Sequence, residues 1–338
     1  MIFARLDTSS LNLNAICSCG QRNFGRTRNS IQSTNMASAN DYTITREEAL
    51  SFLQDILNLE SALPKLKTDK IAFLNEFIKA FSHHVPYQTV KALSTPPDAR
   101  SLPTSADIKK SVTSKEGGFC YQLNLFAWML LCALEFEAHL VSGDYLVYRD
   151  IHVVVIIENI IKQGSRHIFD VGMGYPILRL VPLDFEHQSP VYIDSNTRYR
   201  FVRLGHVIIF QLCKETHQSE AVSHREYIQD GWISFIRIHV NQSVPVSHFD
   251  NRMTKVFTEV DPDLYFLTSL RCVAFPNGRL VCIKDVKLLL EDEARQVHVT
   301  RFRSRDEVLD AFSRHFPQFP SELVNGAMDN VNIQFNSN

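Results

Sequence analysis

Cys120, His152 and Asp170 are the residues of this chain whose types and surroundings suggest shared chemistry. Cys120 follows Gly117-Gly118-Phe119 and directly precedes an apolar stretch of helical length, Tyr121 to Leu134. A thiol at a helix N-terminus faces the positive end of the helix dipole, which favours the nucleophilic thiolate. The two glycines permit a tight turn and close approach of an acyl donor. Amides at the start of a helix lack intrahelical partners and are available to a developing oxyanion. A buried structural cysteine is the plain alternative, because free Cys is among the most buried residue types. A cysteine nucleophile also needs an imidazole to take its proton and a carboxylate or amide to orient that imidazole. His152 stands in the apolar run Ile151 to Ile157, and Asp170 follows Ile168-Phe169 and precedes Val171-Gly172-Met173-Gly174. A core histidine and a turn aspartate explain each of these alone. Together in one 51-residue window they make a better case for a cysteine nucleophile with its base and orienting acid.

The elements that must position these residues read as helices first and strands afterwards, an α+β order. Thr45-Arg46-Glu47-Glu48 has the form of a capping box, followed by Leu50, Leu53 and Leu57 at helical spacing. A second helix is predicted after Thr68, with Ile71, Leu74, Phe77, Ile78 and Phe81 on one face, ending at Val85-Pro86. Tyr121 to Leu134 is apolar all round, as a buried central helix would be. After Phe136 the pattern shifts to short β-branched runs, including Ile151 to Ile157 and Phe201 to Phe210, punctuated by Gly and Pro. Antiparallel strands carrying His152 and Asp170 would set imidazole and carboxylate side by side. Pro276-Asn277-Gly278 signals a hairpin, and Ser304-Arg305-Asp306-Glu307 has the form of a second capping box before a helix.

Composition excludes several function classes. The chain has 338 residues, 45% hydrophobic and 21% charged, enough for a sizeable core. Lys plus Arg is 35 against 37 for Asp plus Glu, a net charge of −2 that gives no footprint for nucleic acid or an anionic membrane. The longest apolar run, Leu125 to Leu134, is half the roughly 20 residues a bilayer span needs. Seven cysteines are an odd, scattered set, read as free thiols in a reducing compartment. Cys17-x-Cys19 has no nearby partners, and no metal site is expected. Met1 to Asn35 is rich in Ser, Asn and Thr, with Arg5, Arg22, Arg26 and Arg28 against the single acid Asp7. That segment, 1–35, reads as a disordered leader or a mitochondrial targeting extension and is set apart from the fold. The expected location is otherwise the cytoplasm.

Glu116-Gly-Gly-Phe-Cys120-Tyr-Gln-Leu-Asn124 resembles the Arg-Gly-Gly-aromatic-Cys-Tyr-Glu-x-Asn signature of the arylamine N-acetyltransferase family. Phe169-Asp170-Val-Gly-Met-Gly174 is similar to that family's Asp-Val-Gly-Phe-Gly motif, and Val85-Pro86-Tyr87-Gln88 to its Pro-Phe-Glu-Asn segment. His152 with its apolar strand and Pro182-Leu183 also fit, and the similarity covers roughly Tyr42 to Phe316. The resemblance implies a Cys-His-Asp triad at Cys120, His152 and Asp170. It further implies a helical bundle over 36–136 bearing the cysteine, an antiparallel β-barrel over 137–240 bearing the other two, and an α/β lid over 241–338. The core would be of the cysteine-protease and transglutaminase type. The implied reaction is ping-pong acetyl transfer from acetyl-CoA to an aromatic amine or hydrazine, with Tyr87 and Phe119 as candidate acceptor contacts. Core packing is the competing role for both rings. The residues that contact CoA and the oligomeric state are not indicated.

Two departures from the family pattern stand out. Glu116 replaces the arginine before Gly-Gly, and Gln88 replaces the glutamate of Pro-Phe-Glu-Asn. A Gln88–Glu116 hydrogen bond is the expected substitute for the ion pair those positions suggest. An unpaired carboxylate near the thiol would weaken it as a nucleophile. The interval from Cys120 to His152 is also short for the family. A related Cys-His-Asp acyltransferase, a transglutaminase-like hydrolase, and a catalytically weak ligand-binding relative are the alternative readings.

Overall fold

The computed structural model describes residues 41–335, so the expectations for 1–35, Cys17 and Cys19 lie outside the described residues. The first helix, Arg46–Ser51, starts at the predicted box: Glu48 N–H donates to Thr45 Oγ1 (3.1 Å) and Thr45 N–H to Glu48 Oε2 (2.7 Å). It passes into a π-helical turn, Phe52–Ile56, that buries Phe52 and Leu53. Helix Lys70–His84 begins at Asp69, whose carboxylate accepts from Ala72 N–H (2.9 Å). It buries Phe73, Leu74, Phe77, Ile78 and Phe81 and stops before Val85-Pro86, where the proline disfavours helical geometry at its predecessor. The cysteine helix, Cys120–Ala133, is apolar on every face because every face is covered. Phe126 packs edge-on against Phe52 at 4.8 Å, and most of its other side chains are equally enclosed.

Two antiparallel sheets carry the strands. The larger runs Val181–Pro182, Arg166–Phe169, Tyr148–Glu158, Glu137–Tyr145, Trp232–Ile238, Val207–Cys213, Thr197–Leu204, Tyr192–Asp194, with Ile228–Gln229 paired beside Trp232–Ile238. This order has two ends, and no ladder joins them among the described residues. Of the expected barrel, a curled antiparallel sheet is what the strands form among the described residues. The run Phe201 to Phe210 belongs to two strands, because the chain reverses at Gly205 (φ +58°). One face of the curl packs on itself through Val154, Ile168, Phe201, Phe210 and Ile236, while Val153, Val155 and Phe169 on the other face join the core of the helices.

The smaller sheet orders Tyr87–Gln88, Arg271–Ala274, Val281–Lys284, Lys287–Glu291, Val297–Arg301. Its first strand comes from the segment before the cysteine helix, with Tyr87 opposite Val273. The Pro276-Asn277-Gly278 turn joins the next two strands, with Asn277 and Gly278 at positive φ. Helix Arg305–His315 starts at Ser304, whose hydroxyl accepts from Glu307 N–H. The Glu307 carboxylate binds Arg303 N–H, one residue early for a reciprocal box. None of the described helices is long and apolar enough to cross a membrane.

Candidate active site

Cys120 is the first residue of its helix and Asn124 lies one turn later on the same face. That face packs against the histidine strand, Tyr148–Glu158. Asn124 Nδ2 donates to the Val153 carbonyl (2.6 Å) and to Asp170 Oδ1 (2.8 Å), and its Oδ1 accepts from Val171 N–H (2.9 Å). Asp170 follows directly on strand Arg166–Phe169, which pairs with the histidine strand in the register Val155 opposite Phe169. Its Oδ1 also accepts from Gly172 N–H (2.9 Å), and its Oδ2 lies 2.6 Å from His152 Nε2. With Nε2 engaged by the carboxylate, Nδ1 is the ring nitrogen left to serve the thiol. Cys120 Sγ lies 3.5 Å from the Ile151 carbonyl oxygen. All three side chains are nearly inaccessible. Burial alone would pull the His152 pKa down. The Asp170 charge and hydrogen bond, with the contact to Cys120, overcome it and hold the imidazole above its ordinary value.

The backbone is as closely fitted as the side chains. A Cβ on Gly172 would meet Cys120 Cα at 2.7 Å and Asn124 Nδ2 at 2.8 Å, so at this point the aspartate loop comes closer to the cysteine helix than any side chain would allow. Gly117 sits at φ +70° with its α-carbon against the Pro86 carbonyl, where a side chain would collide. Gln122 Oε1 takes the Phe119 N–H (2.7 Å), closing the first turn of the helix.

Beside the thiol is a cavity of about 30 Å³ walled by Tyr87, Tyr145, His152, Phe235 and Tyr265 among others. That is room for about two waters. Tyr87, Tyr145, Met173, Phe235 and Tyr265 also line a neighbouring cleft of about 590 Å³, which reaches the smaller sheet. The Tyr87 and Tyr265 hydroxyls meet at 3.0 Å in the partition between the two spaces. This arrangement can generate a sheltered thiol nucleophile, move its proton through an oriented imidazole, and admit a larger ligand from the cleft side.

A family model described as N-acetyltransferase matches residues 70–317. The chain belongs to the N-acetyltransferase family. It is thus a transferase, and the resemblance read from its cysteine and aspartate motifs holds. An arylamine N-acetyltransferase of Mycolicibacterium smegmatis is 23% identical over 250 residues, 72% of this chain and 83% of that protein. The solved arylamine N-acetyltransferase of Mycobacterium marinum superposes with a TM-score of 0.64 at 17% identity, covering 84% of this chain and 99% of its own. That of Mycobacterium abscessus gives 0.65 at 14% identity, covering 90% and 100%.

Within this N-acetyltransferase, the residues singled out by sequence fare differently. Cys120, His152 and Asp170 are brought together, and Tyr87 lines the cavity. Phe119 does not line it. Its ring is buried against Phe257 (4.8 Å) and Phe266 (5.0 Å), because the helix start turns it into the core. The expected Gln88–Glu116 bond is replaced by two other contacts. Glu116 pairs with Lys91 Nζ, and Gln88 Oε1 caps the following short helix by accepting Lys91 N–H (3.0 Å). Asn124 carried no role in the sequence reading, although its i+4 spacing from Cys120 put it on the reactive face. Tyr265 gave no local signal, and only the fold returns it to the thiol. Among the described residues, no group of three or more His, Cys, Asp or Glu side chains is arranged to hold a metal ion.

Proposed function

We propose that this chain is an acetyl-CoA-dependent arylamine or arylhydrazine N-acetyltransferase working through an acetyl-Cys120 intermediate. The observation that carries the reading is the buried Cys120–His152–Asp170 set, with Asn124 holding Asp170, at a small cavity that shares its tyrosine walls with a ligand-sized cleft. The Mycobacterium marinum relative solved in complex with CoA supports an acyl-CoA donor. In this mechanism His152, kept protonated beside Asp170, stabilises the Cys120 thiolate as an ion pair. The thiolate adds to the thioester carbonyl, and amides at the start of the cysteine helix receive the oxyanion. The C–S bond to CoA breaks, and His152 gives its proton to the departing thiolate. An aromatic amine then attacks the acetyl-cysteine carbonyl and His152 takes the ammonium proton as the C–S bond to Cys120 breaks. The division into 36–136, 137–240 and 241–338 belongs to the same proposal, each segment bringing one wall to the site.

The test is the intact mass of the protein after brief exposure to acetyl-CoA without acceptor, followed by peptide mapping. An acetyl group on Cys120, absent in Cys120→Ala and discharged by an aromatic amine, is expected. Folded protein that never takes up the acetyl group would refute the proposal.

A further inference from the structure

Arg271 and Lys284 are directly opposed partners in the antiparallel pair Arg271–Ala274 and Val281–Lys284, and both side chains line the large cleft. Like charges facing each other across a sheet repel. Neither cation has an ion-pair partner among the described residues. The Arg271 guanidinium rests on the Tyr265 ring, 3.9 Å from its centroid, and its Nε donates to Ser269 Oγ (3.1 Å). Burial and then the Arg271 charge press the Lys284 pKa down, against the weaker pull of Glu220, Cys282 and Asp285. The Asp285 oxygens are already bonded to Leu270 N–H and Ser269 Oγ. Glu220, which also lines the cleft, accepts from the Tyr175 hydroxyl (3.3 Å). Two half-buried cations held together at a cavity wall are unfavourable until an anion lies between them. Tyr265, whose ring carries the Arg271 guanidinium, also walls the thiol cavity.

We propose that Arg271 and Lys284 form a seat for an anionic oxygen group of a bound substrate, beside the Tyr265 wall of the Cys120 cavity. Resting on the acetyl-transfer reading, this deepens it by naming the substrate's chemistry. The group is either a carboxylate on the aromatic acceptor or a phosphate of the acyl donor. A guanidinium and an ammonium together suit either, the first as a planar fork and the second as a point charge.

Kinetics with two matched acceptors, 4-aminobenzoate and 4-aminobenzamide, and two donors, acetyl-CoA and uncharged 4-nitrophenyl acetate, separate the sources. If the acceptor supplies the anion, Arg271→Gln and Lys284→Gln each raise KM for 4-aminobenzoate about tenfold or more with either donor and leave the amide unchanged. If the donor supplies it, KM rises by a similar factor for acetyl-CoA alone. Unchanged KM for all four compounds in both folded variants overturns the seat. Titration calorimetry of 4-aminobenzoate, 4-aminobenzamide and inorganic pyrophosphate into the wild-type protein needs neither turnover nor a variant. Salt-sensitive binding of an anion, with the amide bound at least tenfold more weakly than the acid if the acid binds, is expected. No anion binding there also overturns the seat. Failure of Cys120 to become acetylated, with anion binding intact, would instead count against the transferase reading.

Discussion

Asn124 ties three separate pieces of backbone and side chain together: the Val153 carbonyl, the Asp170 carboxylate and the Val171 amide. Asn124→Ala leaves the partly buried Val171 N–H without this partner, at about 1 kcal/mol. It also frees Asp170 to shift relative to His152. A misplacement of even 1 Å in a catalytic group costs on the order of 10²-fold in rate. The expected outcome is a lower Tm together with a kcat/KM loss of that order, while Asn124→Ser recovers part of both. Unchanged turnover in a destabilised Asn124→Ala protein would reduce the residue to packing. Glu116 gives the opposite expectation. Its carboxylate is paired with Lys91, both side chains are partly exposed, and such pairs contribute about 0–1 kcal/mol. Glu116→Arg would set two cations together, so Tm should fall slightly and the rate of Cys120 acetylation should stay within about twofold. A several-fold gain in that rate would show that the carboxylate does weaken the thiol.

The contact between the aspartate loop and the cysteine helix is the element-level joint of the site, and Gly172 is its thinnest point. A methyl group there must push Cys120 Cα or the Asn124 amide away, and neither is the loose end of a flexible chain. Overpacking of this kind costs about 1–3 kcal/mol. Gly172→Ala should therefore lose both stability and at least tenfold in acetylation rate. A fully active, fully stable variant would mean that the helix and loop are looser than this packing implies. What was legible in the sequence follows the same logic of distance along the chain. The cysteine helix, the histidine strand and the strand before Asp170 showed themselves because their apolar patterns are local and their register follows from short connections. Asn124, one helical turn from Cys120, lay within reach of the same logic but was given no role. Lys91 and Tyr265 were not legible, since they meet Glu116 and Tyr87 only after long-range folding. For Phe119 the two readings, ligand contact and core packing, were equal in the sequence, and only the long-range packing of Phe257 and Phe266 against its ring favours the second. The break at Gly205 was overridden by the strong apolar runs on either side.

At the scale of the whole molecule, protonation couples the site and the fold in opposite directions. Burial lowers the pKa of His83, His84, His139, His167, His217 and His315, with His84 brought down to about 4 beside the stacked His83 ring and Lys115. Each of these takes up protons more readily unfolded than folded, so each contributes stability above its ordinary value of 6.5 that is lost as pH falls. For His84 the loss runs from 6.5 down to about 4 and is complete below that. His152, raised by Asp170, works the other way: its contribution is full below 6.5 and declines as pH rises towards its folded value. Acidification should therefore weaken the protein while leaving the His152–Asp170 pair itself favoured. Thermal unfolding followed at pH 7 and pH 5 should show a fall in Tm for the wild-type chain and a smaller fall for His84→Gln, because the variant no longer has that group to protonate. The comparison of the two slopes removes the acid sensitivity that all the carboxylates contribute in common. Parallel slopes would mean that the His83–His84 end of its helix yields to solvent at no cost. The acid weakness would then have to lie in the more deeply buried His167 and His217, on the strands of the curled sheet and in the turn beyond them.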